Sequence, residues 1–260
     1  MAENKINKFY LLNVGISAIN MDDACSLAEE AILTKGKKYI CVCPVSTVME
    51  CKRDKTVLES VNRADLVTPD GMAVVWIGRM MGHKNIRRVY GPELMQRICG
   101  ISAKKGYKNY LYGSSEDVLN KLRNRLKERY PGLIISGSFS PPFRQLTWEE
   151  DDKIIGEINN SAPDIVWVGL SSPKQDLWMH QHRGVINAPV MVGVGAAFDF
   201  LAGTKLQAPY WIRSAGFEWL FRLLTEPKRL WRRYLINYPL FVYYFILESL
   251  SKPIKSLLNK

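Results

Sequence analysis

Four segments of the sequence place polar side chains beside hydrophobic runs, where they could bind or activate a substrate. They span residues 66–71, 87–92, 169–175 and 193–199. In the first, the Asp70 carboxylate could remove a proton from a hydroxyl group, or could simply cap the helix that follows. In the second, the guanidinium of Arg87 or Arg88 could bind a diphosphate through two parallel hydrogen bonds. These segments offer a candidate base and a candidate anion-binding group.

The third segment joins a predicted strand to a predicted helix and has the features of a phosphate or sugar cradle. Pro173 suits the first turn of a helix, which leaves the N-terminal amides pointing outward, and Ser172 could cap them. Lys174 and Gln175 add a positive charge and an amide beside the positive end of the helix dipole. We therefore expect this segment to contact a phosphate or a sugar.

The fourth segment resembles half of a dinucleotide-binding fingerprint. Gly193 and Gly195 have the expected spacing, but Phe198 occupies the place of the third glycine. The acid about twenty residues further on is Glu218, which lies in a predicted helix and does not end a strand. A nicotinamide-dependent oxidoreductase is therefore a poor fit.

The sequence also lacks the usual signs of a metal site. No Asp-x-Asp triplet occurs, and the acidic clusters at residues 22–23 and 149–152 lie at predicted helix starts. The five cysteines show no Cys-x-x-Cys spacing and are expected to be buried, reduced thiols. We predict no metal and no cofactor. If a nucleoside diphosphate is the leaving group, Lys and Arg must offset its charge.

Hydrophobic runs and helical stretches alternate from residue 9 to residue 195. The runs predict buried strands at residues 9–14, 38–45, 65–68, 107–113, 133–137, 164–169 and 189–195. Helices are predicted between them, for example at 21–35 after Asn20 and at 115–130 after Ser114. This order predicts an α/β, Rossmann-like fold, with a mostly parallel sheet and helices on both faces. Ligands bind at the carboxyl ends of such strands, where these segments fall.

Only helices are predicted after residue 195, and the charge balance changes there as well. The net charge is +11, and residues 204–260 hold ten Lys and Arg against three Glu, which is +7 of that total. We therefore divide the chain into an α/β catalytic domain, residues 1–203, and a basic, amphipathic helical appendage, residues 204–260. This asymmetry predicts contact with phosphates, either of a nucleic acid or of a membrane.

The appendage combines basic residues with aromatic ones. Pro227, preceded by Thr225 as a cap, predicts a separate short helix at residues 228–237. Residues 239–247 form an aromatic, apolar run that is too short to span a bilayer and suits the headgroup layer. The alternative is a helix packed on the α/β core. Nucleic acid is disfavoured because the aromatics cluster in an apolar run and do not alternate with arginines.

The N-terminal residues do not have the pattern of a secretory signal. Residues 1–8 are polar, and no apolar segment of the kind found in signal peptides follows them. With the basic appendage, this predicts a cytoplasmic protein associated peripherally with the inner face of the cytoplasmic membrane. The apolar tail would also allow a homo-oligomer.

Taken together and in order, these segments resemble the WecG/TagA/CpsF family of glycosyltransferases, glycosyltransferase family 26. The resemblance runs from about residue 9 to about residue 238. It is carried by Ala-Asp-Leu-Val-Thr-Pro-Asp-Gly at 64–71, Arg-Val-Tyr-Gly-Pro-Glu-Leu-Met at 88–95, Ser-Pro-Lys-Gln-Asp at 172–176, the run 193–199, Gly-Phe-Glu-Trp-Leu-Phe-Arg-Leu at 216–223 and Pro-Lys-Arg at 227–229.

The resemblance implies an inverting, metal-independent enzyme of cell-surface polysaccharide synthesis, which includes exopolysaccharide, capsule and teichoic acid. Members pass a sugar from a UDP-sugar to a polyprenyl-diphosphate-linked saccharide. The implied sugar is of the N-acetylmannosamine type, glucuronic acid or another hexose. A non-catalytic, membrane-bound scaffold for polysaccharide assembly is the alternative.

The resemblance also assigns roles to residues. Asp70 aligns with the proposed catalytic base, and Arg88, Gln175 and Asp199 align with residues of the active-site pocket. The predicted substrate-binding set is completed by Thr68, Tyr90, Gly113, Ser172, Lys174, Ser46 and Thr47. The membrane-binding residues implied by the family's basic appendage are Arg222, Lys228, Arg229, Arg232 and Arg233.

One stretch departs from the family pattern. Where members usually have Thr-x-Asn after the second strand, this sequence has Val42-Cys43-Pro44. Ser46 or Thr47 could supply the missing polar groups. We therefore expect substrate choice to differ from that of the mannosaminyl-transferring members.

Overall fold

The computed structural model describes residues 6–251 and is built around a six-stranded parallel sheet. The strands of this sheet lie in the order β4-β3-β8-β7-β5-β6. Their bounds are β3 Lys38–Cys43, β4 Leu66–Pro69, β5 Lys108–Gly113, β6 Ile134–Phe139, β7 Ile165–Gly169 and β8 Val190–Gly193. The chain order switches between β3 and β8: β4 lies outside β3 on one side, and β8, β7, β5 and β6 continue the sheet on the other. The predicted α/β, Rossmann-like fold is confirmed.

Helices cover both faces of this sheet. They are α1 Met21–Thr34, α2 Val45–Arg53, α3 Lys55–Asn62, α4 Met72–Met80, α5 Gly91–Lys105, α6 Glu116–Arg129, α7 Trp148–Asn160, α8 Lys174–His182 and α9 Ala197–Ala202. Alternate residues of β3 divide between the two hydrophobic cores. Tyr39 and Cys41 pack with α2, α3 and α8, whereas Ile40 and Val42 pack with α1, α5 and α6.

The predicted first strand, residues 9–14, is wrong in extent and in placement. The chain forms a separate antiparallel hairpin instead, with β1 Lys8–Leu11 and β2 Val14–Ser17. Leu12 and Asn13 turn between them with φ of 50° and 70°. Asn tolerates this left-handed conformation, so a continuous hydrophobic run conceals a tight turn.

All the regular secondary structure in the described part of the appendage is helical. It comprises α10 Tyr210–Ser214, α11 Glu218–Thr225, α12 Pro227–Trp231, a π-helical segment Arg232–Ile236 and α13 Asn237–Ser251. The predicted separate helix at 228–237 is wrong, because α12 passes through the π-helical segment directly into α13. The Thr225 hydroxyl does not cap α12. It donates to carbonyls of its own helix, at Phe221 and Arg222.

The apolar run at 239–247 lies within α13 and has two different faces. Phe241 is buried against the α/β core, and Lys52 of α2 lies over the Tyr244 ring at 5.2 Å. Val242 and Ile246 are about half exposed on the other face. The run therefore packs on the core with one side and leaves an apolar side uncovered.

Two further ties hold α13 to the catalytic domain. The Leu12 amide donates to Glu248, and Arg53 donates to the Asn237 side chain. None of the helices within residues 6–251 is both long enough and apolar enough to cross a membrane. Residues 1–5 and 252–260, with the basic Lys252, Lys255 and Lys260, lie outside the described part of the chain.

Candidate active site

The candidate base lies where β4 ends, at the carboxyl edge of the sheet. The Asp70 amide donates to the carbonyl of Cys43 at the end of β3, and the Val89 amide donates to the Pro69 carbonyl. Gly71, with φ of 87°, is the residue that caps α4. The alternative that Asp70 caps this helix is therefore wrong, and its carboxylate points to another partner.

That partner is Arg88, which is shared between two carboxylates. Arg88 Nε donates to Asp70 Oδ1 at 3.0 Å, and Nη2 donates to Glu218 Oε2 at 2.7 Å. The same Nη2 also lies 3.0 Å from Asp70 Oδ1. The guanidinium rests on the Tyr90 ring, 4.1 Å from its centroid. All three charged side chains are largely buried, so their interactions are weakly screened by solvent.

Burial raises the pKa of Asp70 above its usual value, and the charge of Arg88 opposes this rise. Glu218 adds to the rise because a second carboxylate disfavours the ionised form of the first. A carboxyl group with a raised pKa is a better proton acceptor than an exposed one, which suits Asp70 to general base catalysis.

A pocket of about 270 Å³ opens in front of this trio. The catalytic domain contributes Asp70, Arg88 and Trp76, and the appendage closes the other side. The lining residues from the appendage are Arg213, Gly216, Glu218, Trp219, Arg222, Arg233, Tyr234 and Tyr238. The lining thus contains four arginines and two acids, an excess of two positive charges.

The appendage arginines are not fully paired. The Nε atoms of Arg213 and Arg222 are buried and have no hydrogen-bond partner among the described residues. Burial lowers the pKa of Arg233, and the nearby charge of Arg222 lowers it further. Buried cations of this kind are costly unless an anion joins them, so the pocket is suited to an anionic ligand.

Comparison with known proteins identifies the family to which the chain belongs. Residues 9–255 match the family described as Glycosyl transferase WecG/TagA/CpsF family. The chain belongs to this family. Its pocket at the carboxyl edge of the Rossmann-like sheet is the candidate active site of this family member.

Three similar proteins carry the name N-acetylglucosaminyldiphosphoundecaprenol N-acetyl-beta-D-mannosaminyltransferase. The one from Bacillus spizizenii (strain ATCC 23059 / NRRL B-14472 / W23) is 33% identical over 187 residues, 72% of this chain and 69% of the relative. The one from Staphylococcus aureus (strain NCTC 8325 / PS 47) is 32% identical over 186 residues, 72% and 70%. The one from Bacillus subtilis (strain 168) is 28% identical over 183 residues, 70% and 69%.

Of the ten predicted substrate-binding residues, all within the described part of the chain, Arg88 alone lines this pocket, and Thr68, Gly113 and Tyr90 lie inside the fold. Thr68 is fully buried and donates to the Val89 carbonyl at 3.4 Å. Gly113 has φ of 121°, and a Cβ atom there would lie 2.7 Å from the Gly169 backbone. Tyr90 is buried beneath Arg88 and accepts a hydrogen bond from Gln207. Tyr90 therefore supports the guanidinium of Arg88, whereas Thr68 and Gly113 contribute to the packing of the fold.

The third and fourth sequence segments meet beside Gln175. This side chain is 3% exposed, and its Oε1 has no hydrogen-bond partner within residues 6–251. A Cβ atom at Gly195 would lie 3.3 Å from that oxygen, so glycine leaves room for the amide. Lys174 is exposed at the start of α8. Asp199 pairs with Lys205 at 3.1 Å.

A buried polar chain connects α2 with the start of α8. Thr47 donates to the Ser172 hydroxyl at 3.3 Å, and Ser172 donates to Asp176 Oδ2 at 2.5 Å. The expectation that Ser172 caps α8 is therefore wrong, because its hydroxyl is committed to Asp176. Ser46 is buried next to Thr47. Neither Ser46 nor Thr47 lines the pocket, whereas Pro44 and Val45 do.

Asp176 is fully buried and has no cationic partner among the described residues. Burial raises its pKa from 3.8 to about 6, and the hydrogen bond from Ser172 to Oδ2 only partly opposes this, while Oδ1 has no hydrogen-bond partner among the described residues. Its folded-state pKa lies above its unfolded value, so the folded protein favours the protonated form. Stability therefore falls as the pH rises from about 4 to about 6, and the loss persists above that range.

We expect Asp176→Asn, which stays neutral at every pH, to be more stable than the wild type by up to about 3 kcal/mol at pH 7.5. The gap should narrow to about 1 kcal/mol at pH 4.5, where the wild-type carboxyl is protonated in the fold. Urea unfolding at both pH values measures it, with the exposed Asp117→Asn as control. A variant less stable than the wild type at pH 7.5 would contradict this expectation.

The five predicted membrane-binding residues divide into two groups. Lys228, Arg229 and Arg232 are exposed, and Arg229 pairs with Glu226 at 2.6 Å. Arg222 and Arg233 instead line the pocket. These two lie on the inner side of the appendage, so the basic residues of one sequence region face two environments.

The sequence does not predict several charged and aromatic residues of the pocket, and most of these come from the appendage. They are Arg213, Glu218, Trp219, Tyr234 and Tyr238, together with Trp76 of α4. The sequence indicates the run Gly-Phe-Glu-Trp at 216–219 as part of the family pattern, without a role for its side chains. A charged residue within an otherwise apolar, aromatic turn was the signal that could have indicated Glu218.

Proposed function

We propose that this protein transfers a sugar from a UDP-sugar to a polyprenyl-diphosphate-linked saccharide, with inversion at the anomeric carbon and without a metal ion. The observation that carries this proposal is the pocket itself, which places the buried Asp70 opposite arginines whose charge is not fully paired. Such a pocket combines a base for the acceptor with positive charge for a diphosphate leaving group.

In the proposed reaction, Asp70 removes the proton from the acceptor hydroxyl as its oxygen attacks the anomeric carbon. The bond between that carbon and the diphosphate oxygen breaks on the opposite face, and UDP leaves with the electron pair. Both contacts from Arg88 fall on Oδ1 of Asp70, which leaves Oδ2 without a hydrogen bond from any described residue. Oδ2 is therefore the atom that receives the proton.

The appendage arginines take the role that a divalent cation has in many other nucleotide-sugar enzymes. Four arginines against two acids leave two positive charges in the lining. These charges can balance a diphosphate, and they act in a partly buried site where screening is weak. This supports a metal-free mechanism.

The names of the relatives suggest the substrates. We take N-acetylglucosaminyl-diphosphoundecaprenol as the first acceptor to test and an N-acetylmannosaminyl group as the first sugar, with glucuronic acid and other hexoses as alternatives. Two residues depart from the family pattern here. Pro44 lines the pocket, whereas Val42 is buried in the hydrophobic core between the sheet and helices α1, α5 and α6. The departure at Pro44 is thus placed to alter sugar choice.

The test is UDP release by the purified protein in EDTA, with a soluble short-chain diphospholipid-GlcNAc acceptor and a panel of UDP-sugars. Release that depends on both the acceptor and one donor supports the proposal and names the sugar. Release that requires added Mg²⁺ or Mn²⁺ would contradict the metal-free mechanism. Silence across the panel and with longer lipid-linked acceptors, without UDP binding, would favour the alternative of a non-catalytic scaffold.

The outer face of the appendage supports peripheral attachment to an anionic membrane at the inner leaflet. The appendage exposes apolar residues as well as the basic Lys228, Arg229 and Arg232. The apolar members include Trp211, Phe217, Leu224, Leu235, Val242, Tyr243 and Leu250. Because the acceptor is a lipid in this proposal, a docked appendage would present the pocket to the membrane surface.

We expect Lys228→Gln with Arg232→Gln to weaken binding to anionic vesicles by about 30-fold, since each basic residue near the surface contributes about 1 kcal/mol. Sedimentation with vesicles of phosphatidylglycerol and phosphatidylcholine measures this. Turnover of the soluble acceptor should change little, because both side chains point away from the pocket. Equal vesicle binding by variant and wild type would exclude these two residues as membrane contacts.

A further inference from the structure

Glu218 is buried next to the proposed base but does not belong to the same part of the chain. Asp70 and Arg88 come from loops of the catalytic domain, whereas Glu218 is the first residue of α11 in the appendage. It is 8% exposed, and its Oε2 accepts from Arg88 Nη2 at 2.7 Å. The appendage thus contributes a carboxylate that contacts Arg88 of the catalytic domain.

This contact affects how Arg88 meets Asp70. A guanidinium and a carboxylate tend to pair through two parallel hydrogen bonds that occupy both carboxylate oxygens. Here Nη2 is drawn to Glu218, and Nε and Nη2 both reach only Oδ1 of Asp70. The Tyr90 ring beneath the guanidinium restrains its plane. Arg88 therefore holds one oxygen of the base and leaves the other exposed to the pocket.

We infer that Glu218 is a positioning residue for the transfer reaction, which holds Arg88 on one oxygen of Asp70 and keeps the other oxygen available to the acceptor hydroxyl. This inference rests on the proposed function. It also means that the base is correctly arranged only when α11 is docked on the catalytic domain, since Glu218 reaches Arg88 from that helix alone.

The charge of Glu218 supports the same role. Burial raises the pKa of Asp70, Arg88 lowers it, and Glu218 raises it. Without the Glu218 charge, Arg88 would act on Asp70 alone, the pKa would fall, and Asp70 would become a weaker base. The other charged or titratable groups in the pocket lining are Arg213, Arg222, Arg233, Tyr234 and Tyr238, and Tyr90 lies beneath Arg88.

The test is Glu218→Gln, which keeps the shape and the acceptor oxygen but removes the charge. We expect kcat to fall roughly tenfold while KM for the donor changes less than about twofold, because the change acts on the base and not on donor binding. The acid limb of kcat/KM against pH should move to lower pH. Glu226→Gln, which makes the same charge change just after α11 and outside the pocket lining, should match the wild type in both respects.

Glu218→Asp distinguishes positioning from simple stability. It retains the charge, so its acid limb should stay near that of the wild type, with kcat between those of the wild type and Glu218→Gln. If Glu218→Gln melts at a much lower temperature than the wild type, the pH dependence of kcat/KM in Glu218→Asp decides between a positioning role and a role in stability. A wild-type kcat and acid limb in Glu218→Gln would overturn the inference, as would an acid limb in Glu218→Asp that moves as far as in Glu218→Gln.

A measurement without turnover separates this inference from the proposed function. Carboxyl carbon NMR of ¹³C-aspartate-labelled protein, with the Asp70 signal assigned through Asp70→Asn, follows the titration of Asp70 directly. A lower pKa in Glu218→Gln supports the coupling even if no donor is turned over, in which case the proposed function alone fails. An unchanged Asp70 titration in an active enzyme overturns the inference alone.

Discussion

Asp70→Asn is expected to lower kcat by about 10²–10⁴, the usual contribution of a general base, with donor binding intact. Asn has the same shape as Asp and can still accept a hydrogen bond from Arg88 at the position of Oδ1, but it cannot take the acceptor proton. Steady-state UDP release in EDTA measures the loss, and calorimetric titration with UDP measures binding.

Asp117→Asn provides the matched control for this prediction. The same substitution is made here at an exposed position of α6, where Asp117 pairs with Lys121. The control should retain wild-type turnover. An Asp70→Asn variant that keeps more than about a tenth of wild-type kcat would remove Asp70 as the base, whatever its effect on KM.

The second large effect is expected at Arg222, whose side chain lines the pocket with an unpartnered Nε. Arg222→Gln should reduce kcat by about 10²–10³, the range observed when one preorganised donor to a developing charge is removed. The negative charge on the diphosphate grows as the sugar–oxygen bond breaks, so kcat should fall more than donor affinity. Kinetics with the soluble acceptor separate this role from membrane attachment.

Arg63→Gln serves as the control, because Arg63 is an exposed residue at the end of α3 that pairs with Glu59. It should behave as the wild type in the same assay. If Arg222→Gln instead keeps kcat within about threefold and loses only vesicle binding, then Arg222 is a membrane contact, as the sequence pattern first indicated, and the leaving-group role fails.

The sequence alone was informative about the catalytic domain. The alternation of apolar runs with capped helices predicted the parallel sheet, and the ends of β4 and β7 placed Asp70 and Gln175 at its carboxyl edge. These predictions succeed because each depends on local periodicity and on a general rule for parallel sheets. Arg88 instead lies between α4 and α5, so its expected place after a strand is wrong. The family resemblance then gave Asp70 its proposed role.

The sequence was less informative where a residue has two possible neighbours. Thr68 and Gly113 belong to the same strand ends as the site residues, yet one bonds to a nearby carbonyl and the other packs on Gly169. Arg222 and Arg233 share a basic segment with Lys228, yet they face inward. Composition and spacing show that such residues are present. They do not predict which face of a helix packs against the catalytic domain when several short turns precede that helix.

For this protein, the amino-acid sequence by itself determined the α/β class, the edge of the sheet that carries the chemistry, and the basic, aromatic character of the last part of the chain. The tertiary structure decided how that part folds back over the edge and which of its side chains complete the pocket. The contact between Arg88 and Glu218 joins residues 130 positions apart. Such a contact depends on helix docking, for which no local periodicity codes, and only the folded chain reveals it.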